Sequence, residues 1–192
     1  MTQEKLRPWE LALLMALCIT LVVGLWADRT QRDLSGALVR LHVVAASDSP
    51  RDQAEKLQLR DDVLALLSPR LAGCPSQAEA VDIIQNSLPE LEALGDLSVT
   101  VEREYFPTRR YNTFALPAGE YLSLRVVMGP GKGHNWWCVV FPPLCTEALA
   151  DGDTTDAFLS LDGDSAELIQ RPAYDLRFRV VDWWGELKEK LG

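Results

Sequence analysis

The sequence predicts an α+β domain, in which helices pack on a mostly antiparallel sheet, preceded by one N-terminal hydrophobic helix. Three observations support this prediction. An unbroken apolar run lies near the N-terminus, two capped segments with helical periodicity follow a first strand, and three further strand-like segments come after them. A run of helices followed by a run of strands is typical of this fold class. With 192 residues, 47% of them hydrophobic, the chain is long enough for one domain with appendages.

The first element is an apolar run over residues 11–26, which carries no charged residue. A helix that crosses a bilayer needs about 20 apolar residues and at least about 17, so this run fits a thin anchor or a signal-peptide core. Lys5 and Arg7 precede it, and such charges keep an N-terminus in the cytoplasm. The nearest small residue for cleavage is Ala27, but Leu25 makes a poor A-x-A match. We therefore expect an uncleaved anchor, with a cleaved signal peptide as the alternative, and a working part outside the cytoplasm.

Composition and patterning divide the chain into six segments. We expect a cytoplasmic N-region (residues 1–10), a signal anchor or signal peptide (11–27) and a polar tether (28–37). An extracytoplasmic α+β domain (38–145), an Asp/Gly-rich linker or loop (146–173) and a C-terminal amphipathic segment (174–192) follow. The net charge of −9 disfavours nucleic acid as a partner, because phosphate binding requires clustered Lys and Arg. The Asp-Gly-Asp triplets of the linker lack the other ligands of an EF-hand, which favours a solvated loop.

The first half of the domain predicts a strand and two helices. Residues 38–45 alternate and then become continuously apolar, which is typical of a buried strand. Ser49 and Pro50 then predict a helix start, because serine caps helices and proline suits their first position. A capping box at Ser76 begins a second helix, which the apolar spacing extends as a single element to Gly95.

The second half of the domain predicts strands joined by turns. The strand-like segments cover residues 99–105, 121–128 and 136–141. A glycine-rich loop over residues 129–135 joins the last two. In the final strand Trp136 and Trp137 point to opposite faces, so one fills the core while the other lies exposed or beneath a loop.

Residues 129–145 carry the densest chemistry, and three uses of them are disfavoured. A cysteine hydrolase needs Cys138 within about 3 Å of His134, but four residues of extended strand span about 13 Å. A phosphate loop needs a G-K-[ST] ending and a following helix, which the pattern lacks. A metal site built from His42, His134, Cys138 and Cys145 lacks diagnostic ligand spacing. We therefore expect no catalytic residue, no metal and no cofactor, and interpret the stretch as a recognition surface.

Cys138 and Cys145 flank a Phe-Pro-Pro corner that returns the chain on itself. Disulfides persist outside the cytoplasm, so these two residues are a candidate pair. Two small buried apolar side chains explain the same residues equally well. Both alternatives stay open at the level of the sequence.

Three segments of the domain resemble a known family. They read RLHVVAASDSPRDQAEKLQLRD at residues 40–61, YFPTRRY at 105–111 and LPAGEYLSLRVVMGPGKGHNWWCVVFPPLC at 116–145. Their order and spacing resemble stage II sporulation protein R over residues 38–145. The region after Cys145 is similar only through its terminal Trp-Trp helix.

The resemblance implies a signalling protein and not an enzyme. Proteins of this family are made in the forespore, are exported across its membrane, and signal to a membrane-embedded protease of the mother cell that processes the pro-form of sigma factor E. The implied location is the intermembrane space, with the chain either exported or membrane-anchored. The implied partners are that protease and, through the N-terminal segment, the membrane, with no small-molecule substrate. The alternatives are an extracytoplasmic hydrolase that acts on the cell envelope and a structural subunit of an envelope complex.

The density of unusual residues in one loop, strand and turn supplies a hypothesis for the partner-binding site. Its members are Lys132, His134, Asn135, Trp137, Phe141 and Pro142. The hydrolase alternative requires one of three carboxylates, Glu102, Glu104 or Glu120, to lie beside His134 in a concave pocket.

Overall fold

The computed structural model describes residues 7–110 and 115–145. Within these ranges the chain is α+β, as predicted, with helices packed around a four-stranded sheet. The linker or loop expected over residues 146–173 and the amphipathic segment expected over 174–192 lie outside the described residues.

Helix α1 spans Pro8–Ala37 and is long and apolar enough to cross a membrane. Large apolar side chains are exposed along its first half. The polar tether predicted over residues 28–37 is wrong, because the helix continues through it without a break. Ala27, Thr30 and Leu34 follow one another at helical spacing and are buried, so the last turns of α1 pack on the domain.

The sheet is mixed, and most of its strand pairs are antiparallel, as predicted. Its strands are β1 (Val39–Val44), β2 (Leu97–Phe106), β5 (Gly119–Met128) and β6 (Asn135–Phe141). The order across the sheet is β2-β5-β1-β6, with β1 and β5 parallel and the other two pairs antiparallel. A separate short pair is formed by β3 (Arg109–Arg110) and β4 (Ala115–Leu116).

The caps predicted for the helices of the domain are confirmed. Helix α2 spans Pro50–Leu71, and the Ser49 hydroxyl accepts a hydrogen bond from the Asp52 amide at 3.1 Å. Helix α3 spans Gln77–Asn86, and Ser76 caps it in the same way.

The single helix predicted from Ser76 to Gly95 is wrong. Helix α3 ends at Asn86, and a short helix α4 (Leu88–Glu92) follows after a break at Ser87. Proline has no amide hydrogen, so Pro89 cannot donate to the preceding turn and cannot continue α3.

The sheet has a buried cluster on each face. On the face that carries α2 and α3, apolar residues of the strands meet those of the helices, including Leu41, Leu124 and Leu67. On the face that carries α1, Leu34 and Leu38 pack with aromatic residues of β2 and β5. The second face is the more polar of the two, and it also holds buried Arg40 and His42.

Candidate functional site

The loops that follow β1 and β5 meet and form one surface, called here the paired-loop surface. It consists of residues 45–49 and 129–135. Because β1 and β5 are parallel neighbours, their C-terminal ends lie side by side and the loops after them leave the sheet together. The amides of Lys132 and Gly133 donate to the carbonyls of Ala46 and Ala45 at 3.1 and 2.9 Å. These bonds fix the glycine-rich loop relative to the sheet.

His134 and Asp48 face each other on this surface. The Asp48 carboxylate accepts a hydrogen bond from the His134 amide at 2.7 Å and also pairs with the His134 ring nitrogen Nδ1. The two side chains are 75% and 56% exposed, so their contact contributes little to stability and remains accessible. Lys132 and Asn135 are exposed beside them. Three residues of the predicted contact site therefore lie together, with Asp48 as a fourth member that the sequence analysis missed.

A buried lysine supports the paired-loop surface from beneath. Lys56 is 5% exposed, and its Nζ donates to the His134 carbonyl at 3.1 Å and to Gln53 Oε1 at 2.6 Å. Burial lowers the pKa of Lys56, and the negative charge of Asp48 opposes that shift. This positioning residue could not be predicted from the sequence. A lysine is rarely buried unless it has a partner, and the partner here is the carbonyl of His134, which lies far away in the chain.

Gly133 lies where the two loops approach most closely. A Cβ atom added there would lie 2.6 Å from the Ser47 carbonyl carbon and 2.8 Å from Ala45 Cβ. Since the added Cβ would clash with the Ser47 backbone, Gly133→Ala is expected to separate the two loops. The free energy of unfolding should fall by about 1–3 kcal/mol. Chemical denaturation measures this, with Gly36→Ala as the control because a Cβ at Gly36 meets nothing within 4 Å. Equal stability of the two variants would contradict the loop contact.

Trp137 lies apart from the paired-loop surface, on the face of the sheet that carries α1. Its ring centroid is 5.7 Å from that of His42, and the Arg109 guanidinium lies 4.0 Å from the Trp137 ring centroid. Trp136 packs on the opposite face, with Arg60 4.6 Å from its ring centroid. The prediction that the two indoles point to opposite faces is therefore confirmed.

The corner after β6 does not belong to the exposed surface. Phe141 is 3% exposed and Pro142 is buried, so the part of the site hypothesis that offered these two residues to a partner is wrong. The physical reason is that the end of β6 lies beside β1, the inner strand, where apolar side chains are covered on both sides.

Cys138 and Cys145 form a disulfide, with their Cα atoms 5.6 Å apart, which decides between the two alternatives left open by the sequence. Since Cys138 is 5% exposed and its sulfur is bonded to Cys145, that sulfur is unavailable as a nucleophile that His134 could activate. Two of the three carboxylates of the hydrolase alternative are engaged elsewhere, because Glu104 pairs with His42 and Glu102 pairs with Arg125. The third, Glu120, lies at the start of β5, whereas His134 follows the end of that strand. The arrangement that would favour a hydrolase is thus not formed by these residues.

A second cluster occupies the polar sheet face, defined by Arg40, His42, Glu104 and Arg125. His42 Nδ1 lies 3.1 Å from Glu104 Oε1, and Arg125 Nη1 lies 3.6 Å from the same oxygen. Arg40 is completely buried, with its guanidinium 4.1 Å from the ring centroid of Phe106. The only indication of this cluster in the sequence is that Arg40 and His42 alternate with apolar residues, which places both on one face of β1.

The Glu104 carboxylate makes the stability of the domain depend on pH. Burial raises its pKa, but the hydrogen bond with His42 and the positive charges of His42 and Arg125 outweigh burial, so the net pKa lies below the ordinary value of 4.5. A carboxylate with a lowered folded-state pKa stabilises the fold above its unfolded-state pKa, and this stabilisation is lost as pH falls through the folded-state value.

Glu104→Gln is expected to lower the free energy of unfolding by about 1–2 kcal/mol at neutral pH. The difference from the wild type shrinks as the pH falls from the unfolded-state pKa through the lower folded-state pKa, because the folded wild-type carboxylate is then protonated as well. Denaturant titrations across this pH range measure the effect, and Glu102→Gln, at a more exposed carboxylate, serves as the control. A difference that does not change with pH would exclude a charged Glu104 as its source.

Comparison with known proteins identifies the family. The family model for stage II sporulation protein R matches residues 35–151, which is more than half of the chain. Stage II sporulation protein R of Bacillus subtilis (strain 168) is 36% identical over 126 residues, which cover 60% of this chain and 56% of that protein. No solved structure gives a significant match. The chain therefore belongs to the stage II sporulation protein R family.

Proposed function

We propose that this chain is an exported signalling protein that activates a membrane-embedded protease of the mother cell, which then processes the pro-form of sigma factor E. The observation that carries the proposal is membership of a sporulation family, together with a helix of membrane-spanning length that precedes the domain. A role in sporulation follows from the family. Activation of the protease and processing of its substrate are what we propose in addition.

The paired-loop surface is the proposed contact with the protease. It exposes charges of both signs, positive at Lys132 and negative at Asp48. It therefore favours a polar partner whose charges are arranged in the complementary way. The loops are held by backbone hydrogen bonds and by buried Lys56, so little conformational entropy is lost when a partner binds.

Activation would act through linkage between binding and conformation. A ligand shifts the population of its partner only by the difference in its affinity for the two states. The paired-loop surface would therefore bind the active protease more tightly than the inactive one, and the chain itself needs no catalytic group.

The proposal is tested by co-expression with the cognate membrane protease and its pro-sigma factor substrate in a host that does not sporulate. The double variant Lys132→Ala/His134→Ala is compared with the wild type and with a control, Glu79→Ala/Arg103→Ala, which changes exposed residues away from the loops. We expect the loop variant to process substrate at least about tenfold less, which corresponds to a loss of about 1.4 kcal/mol of binding. The control should resemble the wild type.

Export and folding of each variant are checked by fractionation and by resistance to limited proteolysis. If the folded and exported wild type triggers no processing, the proposed activity is wrong. If both double variants process substrate like the wild type, the activity stands and the paired-loop surface is not the contact.

A further inference from the structure

An open cavity of about 380 Å³ lies between helix α2 and the corner after β6, which consists of residues 142–145. Arg60, Leu64 and Ser68 follow one another four residues apart on one face of α2 and line the cavity. Cys145 contributes to the lining from the corner. A volume of this size is sufficient for a small molecule or for the side chains of a partner. The cavity therefore gives a reagent from solution access to one end of the disulfide.

The two cysteines of the disulfide lie in different surroundings. Cys138 is 5% exposed and belongs to the core cluster beneath α2. Cys145 is only partly buried and packs against that cluster while it lines the cavity. Thiol–disulfide exchange requires a thiolate to reach the sulfur that it attacks, so access decides which sulfur reacts. The cavity makes Cys145 the accessible one.

We propose that Cys145 is a thiol–disulfide exchange site of the folded protein, which a thiol reductant reaches through the cavity beside α2. The reductant thiolate bonds to Cys145 Sγ as the bond to Cys138 breaks, and Cys138 leaves as a thiolate that takes up the proton released by the reductant. A second thiol then attacks the reductant sulfur of this mixed disulfide and releases Cys145. Both cysteines become thiols, and the two reductant thiols become one disulfide. The inference goes beyond the proposed function and does not depend on it.

The charged residues of the cavity wall determine which thiols can enter. Arg60 and Asp61 both line the cavity and form an ion pair at 2.6 Å, so their charges offset each other. The Arg60 guanidinium is held in place by the Trp136 ring, whose centroid lies 4.6 Å away. We therefore expect the site to accept thiols of either charge, with access limited by the size of the cavity.

Exchange at Cys145 would release a corner that contributes to both buried clusters. Leu144 is 5% exposed in the cluster on the face that carries α1, and its amide donates to the Val139 carbonyl at 3.3 Å. Phe141, which precedes the corner, is 3% exposed in the cluster on the other face. A thiol that opens the disulfide would therefore loosen packing on both faces of the sheet.

The test exposes the full chain, folded in detergent micelles, to reduced glutathione and then traps the released thiols with N-ethylmaleimide. Tandem mass spectrometry locates each adduct on Cys138 or on Cys145. We expect glutathione on Cys145 at least about tenfold more often than on Cys138. In the molecules that carry glutathione, the maleimide should be on Cys138.

Two matched variants distinguish entry through the cavity from exchange through unfolding. Ala65→Phe places a ring in the lining of the cavity, and Ala54→Phe places the same ring at an exposed position earlier in α2. We expect exchange to be at least about tenfold slower in Ala65→Phe and to match the wild type in Ala54→Phe. Circular dichroism checks the fold of each variant, and Ser68→Phe replaces Ala65→Phe if that variant does not fold.

Three results would overturn the assignment. They are no exchange in the folded wild type, glutathione on Cys138 as often as on Cys145, and equally fast exchange in the two phenylalanine variants. None of these measurements includes the protease, so their outcome is independent of the signalling experiment.

Discussion

Replacing Phe106 by alanine is expected to lower the free energy of unfolding by about 3–5 kcal/mol, the largest effect of any single change considered. Phe106 is 1% exposed and ends β2 on the face that carries α1. Its ring meets the Tyr121 ring edge-on with centroids 6.1 Å apart, and the Arg40 guanidinium lies 4.1 Å from its centroid. Alanine would remove these contacts and leave a cavity beside a buried positive charge.

Two controls separate the cavity from other effects of the change. Phe106→Leu keeps an apolar side chain of useful size and should cost less than Phe106→Ala, while Arg103→Ala alters an exposed position of the same strand and should be close to neutral. Urea denaturation followed by circular dichroism gives all three values. If Phe106→Ala were as stable as Phe106→Leu, the ring would not be part of the core.

Removing the disulfide is expected to have the second-largest effect. Cys138 and Cys145 enclose a loop with a sequence separation of 7, for which the chain-entropy model gives about 2–3 kcal/mol. The double variant Cys138→Ala/Cys145→Ala should unfold at a correspondingly lower denaturant concentration. The corner that the bond closes contains buried Phe141, so its release also weakens packing at the end of β6.

The matched control is Cys74→Ala, which removes a buried sulfur that forms no disulfide. A reducing agent should lower the stability of the wild type and leave the double variant unchanged. If the double variant and Cys74→Ala lost the same amount of stability, the bond itself would contribute nothing beyond buried volume.

The elements that sequence analysis predicted correctly are those that local chemistry determines. Ser49 and Ser76 cap helices through their own hydroxyls and amides three residues away, so no distant residue is needed to identify them. The opposite orientation of Trp136 and Trp137 follows from the two-residue period of a strand in the same way.

The errors arise where distant segments decide the structure. Residues 28–37 are polar enough to suggest a tether, but Leu34 is buried by residues of β5 and of the β4 region that lie far away in the chain. The pairing of His42 with Glu104 depends on β5, which separates β1 from β2 in the sheet, and strand order is not encoded in periodicity. Burial of Lys56 likewise requires the carbonyl of His134.

The strand order has a consequence for the timing of folding. β1 is the first strand to be synthesised among the described residues but lies between β5 and β6, which are the last two strands of the described part of the chain. Val39 cannot pair with Leu122 until most of the domain has been translated. Such long-range pairing makes folding slow. The sheet can therefore close only after β6 has been synthesised, and until then β1 lacks the strands on both of its sides.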